Sequence, residues 1–287
     1  MSETKRKGND KVRAFVFAVV AFFLACILFL LSACITLRLT FFSNDYMKQV
    51  MAEHEYYNQV KDELKTKLTS LSHASGLDEE FVDKFVDSLD LNQEINDYVD
   101  GYYNSNSTLI DTISFKQKFR AAIDDYVEEH NIEKSKVSES SVEYLMNEAT
   151  EIYQNEISIP FFSVAANYIK KLSKPLDFTM FGLIAGVLVL CVIVYFTNSF
   201  KHRAFRYFSY AFGGAAISCA VIPAVVYISG VIEKINISTR SLYNLFVNYF
   251  NGAFVYFWFF VAAYLILSVA SFLVFKRKHD ALVRGHH

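Results

Sequence analysis

The chain holds 287 residues, 53% of them apolar, with four cysteines and a formal charge of −2. That length fits one membrane domain plus one globular module of about 130 residues. The small net charge hides a separation of sign along the chain, and its one long polar stretch has no basic surplus, which excludes a nucleic-acid surface of the usual kind.

Apolar residues gather in four blocks, 14–35, 178–196, 207–228 and 253–275, each free of acidic and basic side chains. Each has about 20 residues, enough to cross about 30 Å of hydrocarbon as a helix. Core helices of a soluble protein are the alternative, and the charge flanking every block argues against them. The predicted fold is an all-α integral membrane protein: four transmembrane helices, with a large helical extracytoplasmic domain inserted between the first and the second. Its divisions are a cytoplasmic segment (1–13), a first transmembrane helix (14–42), the extracytoplasmic domain (43–174), and three further helices with short loops and a basic tail (175–287).

Orientation follows from the positive charges. Lys5, Arg6, Lys7, Lys11 and Arg13 precede the first block, Lys201, Arg203 and Arg206 separate the second from the third, and Lys276, Arg277, Lys278 and Arg284 follow the fourth. Only Glu3, Asp10 and Asp280 offset them. The positive-inside rule sets these segments in the cytoplasm and predicts a multi-pass protein of the cell membrane with both termini inside and 43–174 outside. The insert has the opposite balance, 25 acidic against 13 basic side chains.

Along the chain, the basic start and apolar run ending in Leu31-Ser32-Ala33-Cys34 raise two readings. The stretch resembles a bacterial lipoprotein signal, in which Cys34 would be lipidated and everything before it removed. An uncleaved helix is the other reading, because the apolar run is long and the residues after Cys34 remain apolar. All four cysteines, Cys26, Cys34, Cys191 and Cys219, lie in the apolar blocks. The insert therefore has no disulfide framework and no thiolate zinc site, which suits a bacterial exported domain. Asn106-Ser107-Thr108 and Asn236-Ile237-Ser238 match the glycosylation pattern by chance on that reading.

The insert reads as a bundle of about five helices. Met47, Val50, Tyr57, Val60, Leu64, Leu68 and Leu71 follow the spacing of one helix face over 45–71, with Gly76 as a stop. Asp78 is the expected cap of the next helix, and Asp90–Gln93, Ser114–Gln117 and Ser140–Glu143 are the expected capping pairs of three more. Beyond Pro160, the stripe Phe161, Phe162, Val164, Ala165, Tyr168 and Ile169 predicts an interfacial helix. Pro175 then fits the first turn of the second span, where Asp177 meets the positive end of the helix dipole.

Small residues mark the spans that follow. Gly182 and Gly186 form a G-x-x-x-G pair in the second, and Gly213, Gly214 and Ser218 lie in the third. They are the candidates for close helix packing or for a partner surface. Pro223 is expected to kink the third span. Leu242, Leu245, Phe246, Tyr249 and Phe250 suggest a second amphipathic segment at the outer surface, and the tail to Gly285-His286-His287 is too short for an output domain.

Chemistry is sparse. His54, His73 and His130 have no His-Glu-x-x-His context and read as surface or packing residues. The run Asp83, Asp87, Asp90, Asn92, Glu94 lacks the glycine and the final glutamate of an EF-hand loop. The spans carry hydroxyls such as Thr179, Tyr195, Ser218, Tyr264 and Ser268 but no ionisable side chain at depth, which disfavours ion-coupled transport. No catalytic residue, cofactor or metal ligand is predicted. The expected role is non-enzymatic: a sensing or docking module on a membrane anchor, acting as accessory or regulatory subunit with a membrane-protein partner or a second copy. The alternatives are a transporter or channel-like component for an apolar or lipid substrate, and an envelope-acting enzyme using one of the three histidines.

Overall fold

A computed structural model describes residues 2–73, 75–104, 110–133, 138–160, 162–198, 201–234, 236–237 and 239–284. Asn106-Ser107-Thr108, Phe161, Ser238 and 285–287, invoked above, lie outside them. Every regular element among the described residues is helical: α1 (Ser2–Leu39), α2 (Asn44–Glu53), α3 (Tyr56–His73), α4 (Glu79–Asp87), α5 (Leu91–Tyr103), α6 (Thr112–Glu129), α7 (Glu139–Ile157), α8 (Phe162–Thr197), α9 (Lys201–Ser229) and α10 (Arg240–Arg284). Four of these, α1, α8, α9 and α10, are long and apolar enough to cross a membrane. The chain divides into two compact units.

The first unit comprises the chain to Phe42, α8 from Lys171, α9, and α10 from Phe250. Its core is a seam of small and aromatic residues, with Phe17, Ala21, Leu24 and Leu28 of α1 against Tyr207, Ala211, Ala215, Ala216 and Cys219 of α9. Small side chains let two helix backbones approach where lipid supplies no hydrophobic drive between them. Polar contacts cross the same unit. Ser32 donates to the Leu28 carbonyl at 2.9 Å, and the Tyr264 hydroxyl lies 2.6 Å from Ser32 Oγ. Arg38 meets Asp177 at 3.0 Å and donates to the Phe42 carbonyl at 3.1 Å, and Arg13 donates to the Thr197 carbonyl at 2.6 Å.

The second unit comprises Ser43–Lys170 together with Asn236–Tyr249. Its axis is α3, whose buried stripe of Tyr56, Val60, Leu64 and Leu68 follows the three-and-four spacing of one helix face. Each such side chain contributes about 1.5–3 kcal/mol by leaving water. Phe81 and Phe85 of α4, Phe115 and Phe119 of α6, and Tyr153 of α7 complete the core as packed rings, with Phe85–Phe119 centroids 4.8 Å apart and Phe115–Tyr153 4.1 Å apart.

Several local expectations are corrected. Six helices, α2 to α7, stand where about five were expected, because 45–71 is two helices. The first ends at His54, and Glu55 adopts a left-handed φ of 54°. The Gln59 amide donates to the His54 carbonyl at 2.8 Å and so satisfies a group that the break would otherwise strand. At Gly76 (φ 80°) the expected stop is present. The Leu77 N–H donates to the Ser72 carbonyl and the Gly76 N–H to the His73 carbonyl, the paired bonds of a Schellman turn. Asp78 and Asp90 cap as expected, accepting from Phe81 N–H at 2.8 Å and Gln93 N–H at 3.1 Å. Ser114 and Ser140 do not cap. Asp111 takes that place on α6, accepting from Ser114 N–H at 3.0 Å, and α7 begins after Ser138, whose side chain makes no capping bond.

Two larger expectations also change. The segment before Pro175 is not a separate interfacial helix: α8 runs unbroken from Phe162 to Thr197 with Pro175 inside it. Proline's φ suits a helix, and its missing N–H strands only the carbonyl of Lys171, an exposed residue. Likewise 242–250 is no surface segment of its own. It forms the first turns of α10, with Leu242, Leu245 and Tyr249 buried.

Candidate functional site

The feature that sets this molecule apart is the way the second unit takes in the start of α10. A helix amino end leaves four N–H groups without intrahelical partners. Here the acceptor is supplied from a distant part of the chain. Glu63, in the middle of α3, accepts from the Ser241 N–H at 2.9 Å through Oε1 and from the Ser241 hydroxyl at 2.6 Å through Oε2. One turn back along α3, Gln59 accepts from the Asn244 amide at 2.7 Å. A third contact comes from α2, where the Tyr46 hydroxyl donates to the Tyr249 carbonyl at 2.8 Å and the two rings lie 5.1 Å apart.

Tyr103 of α5 closes the same seat through a hydrogen bond with Tyr249. Burial pushes its phenol pKa up, and that hydrogen bond offsets part of the rise. Beneath it, Asp100 is hydrogen-bonded by Asn44 and by Lys48. Burial works against the Asp100 carboxylate, but the two donors outweigh it and hold the group below the usual range. The seat thus joins α2, α3, α5 and the first ten residues of α10 by polar contacts, the Tyr46 bond buried and the others part-buried, where each is electrostatically stronger than at an open surface.

The residues singled out by sequence fall into different environments. A Cβ on Gly214 would lie 3.2 Å from the Ala25 Cβ, so this glycine permits the α1–α9 approach. One on Gly213 would meet Ser268 Oγ at 3.4 Å and one on Gly186 would meet Ile27 at 3.7 Å, ordinary contacts within the bundle. Gly182 has nothing within 4 Å. It lies on the exposed face of α8 beside Phe178 (77% exposed) and Phe181 (71%). Ser218 is partly exposed, Pro223 lies buried within α9, which continues through it to Ser229, and Cys34 is a partly exposed thiol within α1.

The histidines do not converge. His54 ends α2, His73 lies in the last turn of α3, and His130 ends α6. His130 lines a groove of about 520 Å³ with Asp78, Ser88, Tyr126 and Glu129. Its Nδ1 lies 3.0 Å from the Tyr126 carbonyl, and the Ser88 hydroxyl donates to the Phe85 carbonyl at 2.6 Å, so both are engaged on their own helices. The acidic run is divided among separate tasks. Asp83 and Asp87 pair with Lys65, Asp90 caps α5, and Glu94 accepts from Tyr153. No cluster of metal-ligating side chains occurs among the described residues.

No family model, characterised protein or solved structure matches this chain. Sequence reasoning does not single out Glu63, Gln59 or Tyr46. Thr239-Arg240-Ser241 before an apolar run is a helix-start signal, yet nothing local to it points to an acceptor 178 residues away.

Proposed function

We propose that the chain is a non-enzymatic, multi-pass protein of a bacterial cell membrane whose acidic helical module lies outside the cytoplasm and docks or senses a partner. In this reading it is an accessory or regulatory subunit, and its output passes to another membrane protein or a second copy within the bilayer. The supporting observation is the shared helix. Residues 240–249 of α10 belong to the module, and the rest of α10 belongs to the apolar unit. A ligand that alters the seat around Ser241 therefore acts on a helix that continues into the hydrophobic unit. The basic residues at the start of α1, at the start of α9 and at the end of α10 support the orientation.

The face open to a partner is that of α8. Only 6% of its most apolar stretch is buried, against 11% for α10 and 28% for α1 and for α9. A side chain at Gly182 there would meet open space. Affinity purification from membranes in mild detergent, with photocrosslinkers at Phe181 and Leu188, tests this reading. The expected product is an adduct to one membrane protein or to a second copy; adducts to lipid alone would count against it.

A second reading has one observation in its favour. A groove of about 560 Å³ between α9 and α10 is walled by Pro223, Tyr227, Ile228, Phe254 and Trp258, with Glu233 and Asn251 at its rim. It suits a lipid chain, and lipid flux in proteoliposomes would support a lipid-handling role.

A further inference from the structure

Beside the cap on α10 lies a second carboxyl group that the seat itself does not require. Glu156 of α7 has a side chain only 2% exposed. It is bonded by Lys67 of α3, which lies one turn from Glu63 on the same helix, and its carboxyl group faces that of Glu63, the residue that caps α10. Tyr56 of α3 also faces both carboxyl groups, with Tyr57 and Tyr98 beside it, and Arg240 adjoins the capped serine. Tyr56 is 1% exposed, yet its hydroxyl has no hydrogen-bond partner among the described residues.

Two carboxylates in hydrogen-bond contact cannot both be ionised cheaply. With one proton between them, the Glu156 carboxyl O–H donates to the Glu63 carboxylate. The two bonds between Glu63 and Ser241 are then kept. Loss of that proton to solvent leaves two facing anions and one lysine, itself 46% exposed, to offset both. We infer that Glu63 and Glu156 form a proton-binding pair whose occupancy sets how firmly the module holds the start of α10.

The direction follows from linkage. Burial raises the Glu156 pKa, and the bonds from Lys67 offset only part of that rise. An acid with a raised folded pKa binds its proton more tightly in the folded chain. Its favourable contribution is complete below the ordinary carboxyl range and is lost as pH climbs to the folded value. Asp87, Asp100, Asp111 and Glu139 are shifted the opposite way and weaken the fold in acid. Only a comparison between variants isolates the pair.

The inference rests on the proposed sensing role for its use, but the proton site can be tested with no partner present. Glu156→Gln keeps an N–H donor toward Glu63 and removes the titration. In the full chain in detergent, the variant is expected to melt at or below the wild-type temperature at pH 4.5 and several degrees above it at pH 8. A difference that does not change with pH, or a variant less stable at pH 8, would overturn the pair. If Glu156→Gln does not fold, hydrogen exchange on the wild type decides. Protection of the 241–244 amides, corrected for intrinsic rates, should fall as pH rises from 5 to 8. The fall is about tenfold for every pH unit by which the pair's folded pKa exceeds the ordinary carboxyl value, and constant or rising protection would overturn the inference. Failure of partner capture would leave both outcomes unaffected.

Discussion

Glu63 caps a helix from 178 residues away, holding the N–H of Ser241 at 2.9 Å and its hydroxyl at 2.6 Å with one carboxylate. A cap is ordinarily supplied by the residue just before the helix. Supplying it from α3 makes the start of α10 conditional on the fold of the module. Glu63→Ala should therefore lower the stability of the module by about 1–2 kcal/mol and raise hydrogen exchange at 241–244. Glu53→Ala, which removes only the bond from Gln49 on the same helix, should change neither. Calorimetry with exchange mass spectrometry reads both.

The glycines give a paired prediction in the apolar unit. Gly214→Leu forces a side chain into the Ala25 contact, where the first added carbon already sits 3.2 Å away. Overpacking of this kind costs about 1–3 kcal/mol, read as loss of thermal stability in detergent. Gly182→Leu meets open space and should leave stability unchanged. If the α8 face binds a partner, that same substitution should abolish crosslinking at Phe181 while the protein remains folded.

How far these relationships can be read from sequence depends on their range. The four apolar helices and the caps at Asp78 and Asp90 are legible, because each is encoded within a few residues. The break at His54–Glu55 is not, since Met47 to Leu71 keep helical spacing across it and only a left-handed backbone at Glu55 reveals it. Asp111 and Ser114 are both residue types that cap helices, and nothing within a few residues decides between them. The capping of Ser241 by Glu63 and the Glu156 contact are tertiary facts with no local signal. The amphipathic pattern at 242–250 marks a half-buried segment, but nothing in it says what buries it.

Intact-mass measurement addresses the amino end. Phe17, Ala21, Leu24 and Leu28, which pack against α9, all precede Cys34. Cleavage at Cys34 would strip these contacts from the seam. The expected result is a chain that retains the residues before Cys34 and carries no lipid adduct, and Cys34→Ser should leave membrane abundance unchanged. A mass reporting diacylglycerol on Cys34 would establish the lipoprotein reading instead.

The most direct measurement concerns the side of the membrane on which the module lies. Asp125 is exposed on α6, and Lys201 is exposed at the start of α9. With the native cysteines replaced by alanine, Asp125→Cys should react with a membrane-impermeant maleimide on intact cells. Lys201→Cys should react only after permeabilisation. Labelling at Lys201→Cys alone on intact cells would invert the topology and contradict the proposed extracytoplasmic module.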